Sequence, residues 1–295
     1  MRSPQTPPHP VHVIGASGRS GRAVCQALAL RGTSVVPVIR NPARATGLPT
    51  PRIADLSGPT GPLRAALADA TRIICTTHAR HIPALLATAP ATARLVCLGS
   101  TRKFTRWPDA HGKGVLLGEQ ALLASGHSGV ILHPTMIYGA QGENTVQRLA
   151  AVLRLLPFTP LPGGGRALVQ PIWQGDVTAC ILAALNKAWD GPHSLVIAGA
   201  DAVPYRQFAA MVGAAAGLAP RPTIPVPAGL LMALTKLSAC VPGLPRIGPD
   251  EIRRLLENKN FDITPMQTTL GVRPIGLAEG LHHTFFALGP KTPQA

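Results

Sequence analysis

Apolar residues fall into short unbroken runs along the first half of the chain. Val11–Gly15, Ser34–Ile39, Arg72–Thr77, Leu95–Gly99 and Val130–His133 each place several β-branched or aliphatic residues in succession. A strand carries such a run when both faces of its sheet are covered. Between these runs the apolar positions change to helical spacing. Arg19–Arg31 shows it through Ala23, Ala27 and Leu30, and so do Leu63–Ala70, Ile82–Ala89 and Gly114–Ser125. Arg52–Leu56 predicts one more short strand. Strands alternating with helices imply parallel pairing, and right-handed crossovers then build a doubly wound α/β sheet. Beyond about residue 199 Pro and Gly interrupt the helical pattern and no strong strand is predicted. The chain therefore divides into a flexible tail (1–10), a Rossmann-type α/β domain (11–198) and a smaller, mostly helical lobe (199–295), to which part of 140–172 contributes.

Composition supports a packed protein. Of the 295 residues, 46% are hydrophobic and 14% are charged, the opposite of a disordered chain. The 30 glycines have no fixed period, which excludes a collagen-like fibre. Lys and Arg number 28 against 13 Asp and Glu, giving a net charge of +15. Such a balance suits a polyanion, an anionic membrane surface or a phosphorylated ligand. The arginines are scattered, only 4% of residues are aromatic, and no nucleic-acid-binding motif is legible, so nucleic acid is not an expected partner. Cys25, Cys75, Cys97, Cys180 and Cys240 form no close pair, which argues against a metal or redox motif and for a reducing compartment. Met1–Pro10 has no apolar signal core, and Leu149–Leu161 and Val226–Val241 are broken by Pro, Arg or Lys. The expectation is a cytoplasmic protein with a small-molecule substrate. Peripheral contact with an anionic membrane stays open on charge alone, and the oligomeric state is not readable.

The sharpest motif is Gly15-Ala16-Ser17-Gly18-Arg19-Ser20-Gly21, directly after the first apolar run and opening the first helix. The chain must reverse there within a few residues, which requires glycine where φ turns positive. Gly18 lets the backbone approach a pyrophosphate, and Gly21 lets the helix pack on its strand. The amides at the helix start then bind the phosphates. The end of the second strand reads Ile39-Arg40-Asn41-Pro42-Ala43-Arg44. An acid there would hold a ribose 2′-hydroxyl; instead Arg40 stands where a 2′-phosphate would lie, and Arg19 can face the same group. NADP(H) is therefore favoured, with NAD(H) as the second option.

Several segments together resemble one family. The Gly-x-x-Gly-x-x-Gly spacing, Arg40-Asn41-Pro42 and Ala54-Asp55-Leu56 are similar to the extended and atypical short-chain dehydrogenases/reductases, including the NAD-dependent epimerase/dehydratase group. Leu98-Gly99-Ser100-Thr101 resembles the end of the family's fifth strand, where a catalytic Ser or Thr sits. His133-Pro134-Thr135-Met136-Ile137-Tyr138-Gly139 resembles the segment beside the nicotinamide, and Gln170-Pro171-Ile172 with Asp176-Val177 a later family segment. Gly271-Val272-Arg273-Pro274 with Gly280-Leu281 resembles the C-terminal signature. The likeness spans about residues 11–285. It implies cofactor contacts from Gly15, Ser17, Gly18, Arg19, Ser20, Gly21, Arg40, Asp55, Leu56, Thr76, Pro134 and Thr135.

One departure bears on catalysis. At family spacing the Tyr-x-x-x-Lys pair falls on His111 and Val115. His111 is either a base or a solvent-exposed loop histidine. Lys113 could take the lysine's part only if the helix started elsewhere. Ser100 and Thr101 can orient a carbonyl, and Arg102 and Lys103 either hold an anionic substrate or are surface charge. Asp176 is expected to cap a helix beginning at Val177, and Tyr138 to be structural. Two functions follow: an NAD(P)-dependent oxidoreductase or epimerase on a small carbonyl or nucleotide-sugar-like substrate, or a non-catalytic NADP(H)-binding redox sensor or respiratory-complex accessory protein. No metal site is expected.

Overall fold

The computed structural model describes residues 9–139, 145–234 and 248–286. Most of the expected tail, residues 140–144 and Cys240 lie outside the described residues, as does the second part of the Val226–Val241 run. The chain opens with β1 (Val11–Ile14), α1 (Arg19–Leu30), β2 (Val35–Ile39), β3 (Arg52–Ile53), α2 (Thr60–Leu67) and β4 (Arg72–Cys75). It continues with α3 (Ile82–Leu86), β5 (Arg94–Leu98), α4 (Ala110–Leu123) and β6 (Gly129–Pro134). Next come β7 (Ile137–Tyr138), α5 (Thr145–Leu155), β8 (Thr159–Pro162), β9 (Leu168–Val169), β10 (Ile172–Trp173), α6 (Gln174–Asn186) and β11 (Pro192–Ile197). The last part holds β12 (Val203–Pro204), α7 (Tyr205–Ala215), β13 (Thr223–Val226), α8 (Ala228–Leu234), α9 (Pro249–Arg254), α10 (Thr264–Leu270) and α11 (Leu277–Phe286).

Seven strands form one sheet in the order β11-β6-β5-β4-β1-β2-β3, and every pair is parallel. Alternate residues of each apolar run serve opposite faces. Ile73, Leu95 and Cys97 pack with Leu63, Leu67 and Leu85 under α2, α3 and α4. Ile74, Val96 and Leu98 pack with Val24, Leu28 and Ile181 under α1 and α6. Burial on both faces is why these strands read as unbroken hydrophobic runs. The described cysteines, Cys25, Cys75, Cys97 and Cys180, are buried free thiols in these layers.

The chain lays down β1, β2 and β3 in one direction, then crosses to β4 on the other side of β1. The carboxyl ends of β1 and β4 therefore bound a crevice at the reversal point of the sheet. Ile14 pairs with Val38 on one side and Cys75 on the other, so Gly15 and Thr76 leave the sheet at the same level.

The smaller lobe is built on a third core of Tyr138, Val146, Leu153, Leu161, Phe208 and Leu281, so segments before and after residue 199 share it. Four points depart from the sequence. β11 was not predicted; it is a half-exposed edge strand, and its residues lack the continuous apolar run. β3 is only two residues long, and the lobe contains β13, which pairs in parallel with β8. Finally, α6 starts at Gln174, so Asp176 lies inside its first turn rather than capping it. Among the described residues no helix is long and apolar enough to cross a membrane.

Asp176 is buried and its Oδ2 accepts a hydrogen bond from the Ile275 amide at 3.2 Å. Burial pushes its pKa up to about 6, and Glu279 adds to the rise. A raised carboxyl pKa means that the folded state loses stability as pH climbs through 4 to 6. Asn keeps the acceptor without the charge. Asp176→Asn should therefore stabilise the protein at pH 7.5, by no more than about 3 kcal/mol, and change it little at pH 4. Urea unfolding midpoints at the two pH values check this.

Candidate functional site

The loop after β1 is shaped by contacts that leave no space for side chains. Gly15 has φ +79°, and a Cβ there would come within 2.8 Å of Thr77 Cγ2 and 2.9 Å of Thr76 Oγ1. A Cβ on Gly21 would lie 2.2 Å from the Gly15 carbonyl oxygen. α1 can thus start against the β1 strand end. Its N-cap is Gly18, which supplies no side-chain cap, so the first amides of the helix face the crevice with only backbone around them. Thr76 closes the other side, donating its hydroxyl to the Ile14 carbonyl at 3.1 Å. Ser20 Oγ donates to Gln174 Oε1 at 2.9 Å and ties α1 to α6, while half-buried Ser17 lends its carbonyl to Arg22.

Arg22 was not singled out in the sequence, where nothing separates it from the other scattered arginines. Its guanidinium donates to the carbonyls of Thr46 at 2.6 Å and Arg44 at 2.7 Å, pinning the segment after β2 to α1. Arg40 is exposed immediately after β2, and Arg19 and Arg44 are exposed nearby in the chain. Asp55 Oδ1 accepts from the Ser57 amide at 2.9 Å, and Leu56 is buried beneath it. Burial and Arg80 lower the pKa of His81; Asp55 opposes the shift and Arg40 adds to it. Arg40 and Asp55 thus both lie within electrostatic reach of His81.

At the ends of β5 and β6 the hydroxyls differ in what they have left to give. Ser100 Oγ accepts from the Arg102 amide at 3.1 Å, so its own proton stays available. Thr101 is buried and commits its proton to the Pro134 carbonyl at 3.2 Å, which removes it as a donor to substrate. Thr135 is 6% exposed, and its Oγ1 has no partner among the described residues.

Lys103, which the sequence leaves open between a substrate contact and surface charge, turns inward, to Glu119. Glu119 Oε1 also accepts from Ser194 Oγ at 2.5 Å and lies 3.2 Å from His133 Nε2. His133 Nδ1 accepts from the Ser100 amide at 3.2 Å, so its proton sits on Nε2, towards Glu119. Burial, with the Lys103 charge, pushes His133 down to about 4 and keeps it neutral. Burial raises the Glu119 carboxyl, but the hydrogen bonds from Lys103 and Ser194 outweigh it and hold it below the usual range. This cluster supports the Ser100 backbone from below.

α4 begins at Ala110, where Asp109 Oδ1 caps the Gly112 amide at 2.7 Å. That cap fixes the helical register. Val115, at the lysine place, is buried in the core, and Lys113 is exposed on another side. The structure thus does not bring Lys113 to the site. His111 is half-buried, with its ring centroid 4.2 Å from that of His78 in an edge-on contact. Burial, then Arg102, lowers its pKa, so it is neutral near pH 7. His78 Nδ1 accepts from the Arg80 amide at 3.0 Å, and burial with His111 brings His78 down to about 4.

Beside these strand ends a cavity of about 430 Å³ opens between the sheet edge and the smaller lobe. Ser100 and Thr135 stand at the sheet side, and Leu149, Leu153, Phe208 and Leu255 supply an apolar wall. Arg102, Arg148, Arg254 and Lys259 also line it. Among the described residues no cluster of side chains is able to hold a metal ion.

No protein-family model and no curated protein sequence matches the chain. Solved structures do. UDP-glucose 4-epimerase of Thermus thermophilus, in complex with NAD, superposes with a TM-score of 0.70 at 18% identity, over 96% of this chain and 99% of that one. The NADPH-dependent quinone oxidoreductase QOR2 of Escherichia coli, complexed with NADPH, gives 0.71 at 20% identity, over 93% and 99%. A short-chain dehydrogenase/reductase superfamily protein of Agrobacterium tumefaciens with bound NAD gives 0.67 at 16%, over 93% and 95%. The chain has the fold of the short-chain dehydrogenases/reductases of the epimerase/dehydratase kind.

The buried ion network makes a stability prediction. The Lys103 side chain is 9% exposed. Glu119→Gln leaves the Lys103 charge without a counter-ion and should cost about 3–5 kcal/mol. Adding Lys103→Met should recover most of that loss. Urea unfolding of the two single variants and the double variant measures both effects.

Proposed function

We propose that the protein is an NADP(H)-dependent oxidoreductase or epimerase of the short-chain dehydrogenase kind acting on a small carbonyl compound. The observation that carries the reading is the coincidence at one sheet edge of two features. One is the Gly15–Gly21 cradle at the reversal point; the other is a cavity that begins where Ser100 and Thr135 present their hydroxyls. The residues fit a dinucleotide. The cradle leaves backbone amides for a diphosphate, and the unpartnered Thr135 Oγ1 suits a nicotinamide carboxamide beside Pro134. Exposed Arg40, with Arg19, would meet a 2′-phosphate, and Asp55, Leu56 and Thr76 would flank the adenosine half. The similar folds from Thermus thermophilus and Escherichia coli, described with NAD and with NADPH, support a nicotinamide dinucleotide without choosing between the two.

When bound, the nicotinamide supplies the hydride acceptor or donor. The chain's own part is to place the carbonyl and move a proton. Ser100 Oγ, already accepting from the Arg102 amide, donates a hydrogen bond to the substrate oxygen. His111 is held neutral and can accept the hydroxyl proton or return it, directly or through a water or the ribose hydroxyl. The core position of Val115 favours a second reading, an NADP(H)-binding sensor or respiratory-complex accessory protein without turnover. Single-turnover measurements separate the two.

NADPH should raise the melting temperature more than NADH does, by mass action on the folded state, and Arg40→Glu should erase the difference. Equal shifts in the wild type would remove the phosphate preference. Where turnover is seen, Ser100→Ala should lower kcat roughly 100-fold or more, as losing one preorganised donor to a developing oxyanion does. An unchanged rate would take Ser100 out of the chemistry.

A further inference from the structure

The cavity between the sheet edge and the smaller lobe carries four cations, and their partners decide what it can hold. Arg102 donates through Nε to Asp109 Oδ2 at 2.7 Å. Arg148 lies 3.2 Å from Glu251 Oε2, and Lys259 Nζ lies 2.6 Å from Glu257 Oε2. The Arg254 guanidinium has no hydrogen-bond or ion-pair partner among the described residues, although the residue is only half-exposed at the end of α9. Three acids are close enough to influence it, Glu251, Asp109 and Asp250, but each is bonded to another arginine: Arg148, Arg102 and Arg253. Arg102 lies among the groups that repel it.

A half-buried guanidinium without a counter-ion, next to a second cation, is costly unless a ligand supplies the charge. Most of the remaining wall is aliphatic and aromatic, from Leu149, Leu153, Phe208 and Leu255, with Thr145, Thr159 and Gln170 among the polar residues that also line it. We propose that the cavity binds an apolar molecule bearing a single carboxylate, and that Arg254 is the residue that pairs with that carboxylate. This rests on the reading of the cavity as the substrate site and narrows its substrate to an apolar carbonyl acid. A nucleoside diphosphate, with two or more charges and a polar base, would need the neutralised cations to give up their acids and would set its polar edges against the apolar wall. The acid end would sit at the end of α9, where Arg254 lines the cavity. Ser100, on the sheet side, is then left for the carbonyl.

Octanoate, octan-1-ol and UDP are the probes, titrated calorimetrically against the full chain in the presence of saturating NADPH. Octanoate should bind saturably and more tightly than octan-1-ol. Arg254→Met should weaken octanoate at least tenfold, and Arg254→Lys by less. UDP should neither bind nor displace octanoate. Octan-1-ol binding as well as octanoate, or Arg254→Met binding octanoate as the wild type does, overturns the carboxylate site. UDP binding more tightly than octanoate overturns it in favour of a diphosphate site. The NADPH thermal shift of the wild type and both variants is read alongside. A shift without octanoate binding defeats this inference and spares the cofactor reading. Octanoate binding without a shift defeats the cofactor reading and shows Arg254 serving another role than dehydrogenase substrate binding.

Discussion

The approach of α1 to the strand end of β1 sets the position of everything else at the site. Gly21 lies so close to the Gly15 carbonyl that a methyl group would sit 2.2 Å from it, and Gly15 in turn is pressed against Thr76 and Thr77. With those contacts in place, the amide end of the first helix faces the crevice between β1 and β4. The parallel register then brings Ser100 and Thr135, at the ends of β5 and β6, to the neighbouring edge. The close contact thus fixes where α1 begins, and the strand register sets the hydroxyls beside it.

Scarce acids shape the rest. With 13 Asp and Glu against 28 Lys and Arg, several carboxylates are committed to a cation. Asp69 holds Arg52, Asp109 holds Arg102, Glu119 holds Lys103, Glu251 holds Arg148 and Glu257 holds Lys259. Arg40 beside the crevice and Arg254 in the cavity are not among these paired cations and are placed to meet a ligand. In an acid-poor protein, the pairing pattern is more informative than the overall charge.

The sheet was legible because burial on both faces makes the middle of a central strand an apolar run, as in Ile73–Cys75 and Leu95–Leu98. The glycine loop was legible because close backbone approach admits no other residue. β11 escaped because an edge strand buries only one side. The inward turn of Lys103 escaped because its partner Glu119 lies on another element, and sequence spacing carries no record of that meeting. The exclusion of Lys113 needed the Asp109 cap, which fixes where α4 starts and so which side each residue takes. Arg22 and Arg254 are two among many arginines in the sequence; only the carbonyls around the first and the missing carboxylate at the second distinguish them.

The central claim is that backbone amides at the start of α1 grip a dinucleotide's diphosphate while Arg40 selects the phosphorylated form. Native mass spectrometry of the protein mixed with equimolar NADP⁺ and NAD⁺ addresses it directly. The account predicts one dinucleotide per chain with the NADP⁺ adduct dominant. A spectrum with neither adduct would contradict it.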